Sequence, residues 1–123
     1  MMSKSTALHA VLLLVLAAAP AAQVDFVSWH PATIPPLSPA PRYAMPTAYD
    51  PVRRKVVLFG GVDSQGFRND TWEFDGRTWR QVKPAQSPTP RGGAAMAYDP
   101  ASKEVILFGG ANGPSFHNDT WSW

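Results

Sequence analysis

The sequence predicts an all-β fold built of repeated four-stranded antiparallel units. Three observations carry this. Residues Ser38–Phe74 lie over Ser87–Trp123 without a gap at an offset of 49, and 18 of the 37 aligned positions are identical. A period near 50 is the mark of a propeller-like or other repeat array. Short β-branched and aromatic runs alternate with Gly, Pro and Asp breaks, and no window shows a convincing helical period outside the N-terminal apolar run. Thirteen Pro, nine Gly and five Trp in 123 residues suit many short extended segments joined by tight turns.

Residues 1–21 read as an export signal. Lys4 supplies a positive start, Ala10–Ala19 is an unbroken apolar run, and Ala19-Pro20-Ala21 fits the small-x-small cleavage pattern. Ten apolar residues are too few to span a bilayer, which needs about 20. The expected location is therefore secreted or periplasmic, with no membrane span. The mature part has no Cys to staple it in an oxidising space, so packing alone must hold it.

Residues 22–41 are predicted to hold one outer strand and a Pro-rich link. Asp25 and Trp29 have the same separation as Asp75 and Trp79, which places Val24–His30 as a lone fourth strand. Residues 42–83 then form a complete unit. Arg42–Ala48 is its first strand, closed by Tyr49-Asp50-Pro51, because Asp-Pro starts turns and disfavours helix. Lys55–Phe59 is an apolar run expected to be covered on both faces, and Gly60-Gly61 ends it. A variable loop leads to a third strand at Asn69–Trp72. Phe74-Asp75-Gly76-Arg77 is a hairpin turn, and Thr78–Lys83 is the fourth strand. Residues 84–123 repeat the pattern through Trp121 but lack a fourth strand.

These residues resemble the kelch family. Its marks are Gly60-Gly61, Trp72 and Trp79 in the complete unit, and Gly109-Gly110 and Trp121 in the second. The resemblance covers about residues 24–123. It implies four-stranded blades of a β-propeller, similar in architecture to the central domain of galactose oxidase, with only about two blades present. Trp72 and Trp121 are expected to pack between blades. Two blades leave apolar faces uncovered, so self-association or additional blades in a longer reading frame is expected, a truncated frame being favoured.

The functional expectation is a binding or interaction module that presents the loops of one face to an unknown protein, peptide or glycan. The candidate ligand-binding residues are Arg42 and Arg91, with Asp63, Gln65, Phe67 and Arg68 in one loop and Asn112, Ser115, Phe116 and His117 in the other. An Arg can grip a carboxylate or phosphate with two parallel hydrogen bonds, and the Phe residues offer an apolar floor. The bland alternative is that both Arg serve the repeat, pairing with Asp70 or Asp119, and that the Phe residues plug loops. Asn69-Asp70-Thr71 and Asn118-Asp119-Thr120 fit the N-glycosylation pattern but recur as turn elements.

No catalytic residue is assigned. The sequence has no nucleophile elbow, phosphate loop or assignable carboxylate pair. Without Cys, disulfides, thiolate metal sites, cysteine catalysis and the Tyr–Cys crosslink of galactose oxidase are excluded. His30 and His117 are isolated and non-equivalent, so no metal or other cofactor is expected. Eleven Lys and Arg against nine Asp and Glu leave a surplus too small to suggest nucleic acid. An alternative reading makes the chain part of a secreted sugar-modifying enzyme of oxidase or isomerase type. Export has a direct test. Mass spectrometry of the exported protein should find an N-terminus at Ala22 or Gln23, and a cytoplasmic chain beginning at Met1 would contradict the signal.

Overall fold

The computed structural model describes residues 28–32 and 37–123, and the second of the two units into which the chain divides begins at Ala32. The signal segment and Val24–Val27 of the expected outer strand lie outside the described residues. Ser28–His30, the rest of that strand, has no regular structure, and the Ser28 hydroxyl lies 2.6 Å from His30 Nε2.

Within 32–123 every described element is a strand, and every pairing is antiparallel. β1 (Thr47–Asp50), β2 (Lys55–Asp63), β3 (Gly66–Phe74) and β4 (Trp79–Val82) form a four-stranded meander in chain order. β5 (Ala95–Asp99), β6 (Glu104–Phe108) and β9 (Thr120–Ser122) form a three-stranded sheet. Between β6 and β9, β7 (Ala111–Asn112) and β8 (Ser115–Phe116) make a short ribbon.

The turns follow local chemistry. Asp50 accepts the amides of Val52 and Arg53 at 2.9 Å, and Asp99 accepts those of Ala101 and Ser102. Arg54 and Lys103, 49 residues apart, both close their turns in the left-handed region. Asp75 accepts the amides of Arg77 and Thr78 at 2.8 Å, and Gly76 takes a φ of 96° that favours glycine.

Several strand limits differ from expectation. The first strands begin later, at Thr47 and Ala95, and run on through Asp50 and Asp99. The Gly pair does not end the second strand. β2 continues through Gly60-Gly61 to Asp63, with an irregularity between Phe59 and Gly61, and β3 starts at Gly66 instead of Asn69. Positive φ at both glycines lets the chain kink and keep pairing. In the second unit the same kink interrupts the ladder, which resumes as the β7–β8 ribbon.

Register divides each sheet into two faces. In the meander, Val57, Phe59 and Thr71 share one face, and Leu58, Trp72, Phe74 and Trp79 share the other. In the second sheet, Met96, Val105, Leu107 and Trp121 share one face, and Ile106, Phe108 and Thr120 share the other. The Val57–Phe59 face packs against the Val105–Leu107 face. A small cavity of about 50 Å³ between them is lined by Val57, Phe59, Met96, Leu107 and Trp121. Val57, Leu58, Phe59, Trp72, Val105 and Leu107 form the buried apolar core. Trp79 stacks at a tilt on Phe74, ring centroids 5.0 Å apart.

The expectation that both apolar runs are covered on both faces holds for only one of them. Phe59 is 3% exposed, whereas its equivalent Phe108 is 53% exposed. The two positions carry the same residue, but Phe59 lies inside the continuous β2 strand facing the second sheet, whereas Phe108 ends β6 and borders an open groove.

Candidate functional site

Each repeat is organised around one Arg–Asp pair. The Arg42 guanidinium donates to both carboxylate oxygens of Asp70, at 2.7 and 3.1 Å, and to the Gly60 carbonyl at 2.9 Å. Arg91 does the same in the second repeat, to both oxygens of Asp119 and to the Gly109 carbonyl at 3.0 Å. The Trp indole N–H two residues after each Asp donates to that same carboxylate, at 2.7 Å from Trp72 and 2.8 Å from Trp121. Arg, Gly-Gly, Asp and Trp thus form one hydrogen-bonded unit, which is why they recur together at fixed spacing.

Arg91 is 1% exposed, and its remaining N–H groups go to the Thr89 carbonyl and hydroxyl. The Arg42 side chain is also buried against Asp70. Neither guanidinium faces solvent as a free anion receptor; both are spent inside the repeat.

The electrostatics agree. Burial pushes the Asp70 carboxyl up, but hydrogen bonds from Arg42 and Trp72 outweigh it and hold it below the ordinary range. Asp119 is held far below that range, first by the Arg91 guanidinium and then by the Trp121 indole.

The other candidate residues occupy two equivalent hairpins. Asp63 ends β2; its carboxylate accepts the Gln65 amide and lies 3.3 Å from Arg68 Nε. Gln65 is exposed in the turn, Phe67 is half-buried, and Arg68 is partly exposed. In the second hairpin the Asn112 amide donates to the Pro90 carbonyl, Ser115 is exposed, and Phe116 is 87% exposed. His117 is half-buried, and its Nε2 is buried with no hydrogen-bond partner among the described residues. Gln65, Arg68, Ser115 and Phe116 are therefore the candidates still able to reach a ligand. Among the described residues no group of three His, Asp or Glu side chains is placed to hold a metal ion.

Sequence reasoning did not find the groove of about 350 Å³ in the second repeat, lined by Gly93, Phe108, Gly110, Ala111, Phe116 and His117. The signal was present but indirect: each lining residue has a partner 49 residues earlier, and only comparison of the two surroundings shows which seat is open.

The chain matches no protein-family model and no curated protein.

The depressed carboxylates predict how stability depends on acid. A carboxyl whose folded pKa is lowered adds stability that is complete above its unfolded value, near pH 4, and is lost as pH falls through the folded value. Melting temperature should therefore hold level from pH 7 to pH 5 and decline below about pH 4. Asp119→Asn should melt lower at neutral pH and decline less in acid. Thermal melts across pH check this; an Asp119→Asn profile parallel to wild type would contradict it.

Proposed function

We propose that this chain is an exported repeat module of the kelch type, which binds a protein, peptide or glycan through the tips of its β2–β3 and β7–β8 hairpins. The observation that carries the reading is the division of labour in each repeat. The shared Arg, Gly-Gly, Asp and Trp are tied to one another, while Gln65 and Ser115, which differ from their counterparts, and Phe116, far more exposed than its counterpart Phe67, sit at the hairpin tips.

Identical buried contacts serve the scaffold, and variable exposed ones are free to serve recognition. The tip chemistry suits a mixed ligand surface. Gln65 and Ser115 offer polar contacts, Arg68 offers a partly screened cation, and Phe116 offers an exposed ring able to stack on a sugar or an apolar side chain.

The test is a screen of peptide and glycan arrays with the full exported chain, followed by substitution. Phe116→Ala and Gln65→Ala should each weaken any hit about tenfold, the scale of losing one good interface contact, with melting temperature nearly unchanged. Binding that survives both substitutions would contradict a tip-centred site.

A further inference from the structure

The two repeats are joined by the backbone around Arg91. The Gly61 amide donates to the Arg91 carbonyl at 2.9 Å, the Arg91 amide donates to the Arg68 carbonyl at 3.0 Å, and the Gly93 amide donates to the Ala44 carbonyl at 2.8 Å. The segment 90–93 of the second repeat is thus a plug seated on the first, with Phe59 buried beneath the contact between the sheets.

The 49-residue equivalence places a second plug and a second seat on this chain. The seat equivalent to Gly61, Arg68 and Ala44 is Gly110, His117 and Gly93. Among the described residues, the Gly110 amide and the His117 and Gly93 carbonyls have no hydrogen-bond partner. These residues line the open groove, beside the exposed Phe108 and Phe116. The plug equivalent to 90–93 is 41–44, whose Arg42 amide and carbonyl are likewise unpaired among the described residues. Its Arg42 side chain is already fixed by Asp70 in the pose Arg91 takes from Asp119.

Side-chain sizes also match. In the filled joint the plug carries Gly92, where a Cβ would meet Val62 Cγ2 at 3.1 Å and Ala44 Cβ at 3.4 Å. In the open plug that position is Tyr43, exposed and bulky. In the open seat the two facing positions have shrunk, Val62 becoming Ala111 and Ala44 becoming Gly93. The larger plug meets the roomier seat.

We infer that two copies of this chain join head to tail, the segment Pro41–Ala44 of one copy filling the groove of Gly93, Phe108, Gly110, Ala111 and His117 of the next. The joint has the same backbone hydrogen bonds as the one inside the chain, and it covers Phe108 as Phe59 is covered. The contact is heterologous, so an open assembly keeps one free plug at one end and one free seat at the other until a ring closes. It stands on the repeat geometry, and because Phe116 borders both the groove and the hairpin tip, it is tested with no ligand present.

Mixing two variants tests it. Tyr43→Glu spoils the plug and leaves the seat; Phe108→Glu spoils the seat and leaves the plug. Sedimentation velocity on the full exported chain should show concentration-dependent oligomers for wild type. Each variant alone should need roughly tenfold or more higher concentration to associate, since it forces a charge into the contact. The two variants mixed should form a discrete one-to-one dimer through the intact plug and intact seat. Circular dichroism confirms that both variants keep the wild-type sheet signal, and Tyr43→Ser with Phe108→Ser replaces the pair if either does not. A wild type that stays monomeric at all concentrations would overturn the inference, as would oligomers indifferent to both substitutions or a mixture that forms no dimer.

Discussion

Arg91 holds its own repeat with its side chain and the neighbouring repeat with its backbone. The guanidinium is clamped by Asp119 and the Gly109 carbonyl, while the amide and carbonyl of the same residue bond Arg68 and Gly61. A side chain fixed at both carboxylate oxygens cannot swing, so its peptide groups are held where the next repeat needs them. The pair is worth more as a positioning device than as an ion pair. Burying a charge costs several kcal/mol, and the compensation lies in the full set of hydrogen bonds the Arg makes.

This arrangement explains the glycines. Gly60 and Gly61 bring the β2 backbone against the Arg91 segment; a Cβ on Gly60 would stand 2.7 Å from both the Arg68 and Arg91 carbonyl oxygens. A Cβ on Gly61 would stand 2.8 Å from Met45 Cβ. Both contacts are too close for any larger residue, and both glycines have positive φ. Past the irregularity the β2–β3 pairing continues to Asp63 and Gly66, so the hairpin tip stays tied to the same sheet.

Much of this was legible in the sequence because it is periodic. The all-β class, the Asp-Pro and Asp-Gly turns and the equivalence of the Arg, Asp and Trp positions follow from an offset of 49 and local turn chemistry. What periodicity conceals is the difference between equivalent positions. Phe59 and Phe108 are the same letter in the same pattern, yet one is buried and the other is not, because burial depends on the element stacked above. The use of both Arg side chains inside the repeat was legible because identical residues in a repeat usually serve the repeat, although spacing alone does not say whether a guanidinium turns inward to Asp70 or outward to a ligand. The continuation of β2 beyond Gly61 was missed for a related reason: a glycine pair reads as an end until the pairing partner is known.

The link between the Arg91 side chain and the inter-repeat backbone has a direct measurement, amide hydrogen exchange at Gly61 in wild type and in Arg91→Ala. The Gly61 N–H bonds the Arg91 carbonyl, not its side chain. If the side chain positions that carbonyl, Gly61 is strongly protected in wild type and loses far more protection in Arg91→Ala than the β3–β4 amides of the first repeat do. Equal loss across the first repeat, or an unchanged Gly61, would show that the repeats are joined by something other than Arg91.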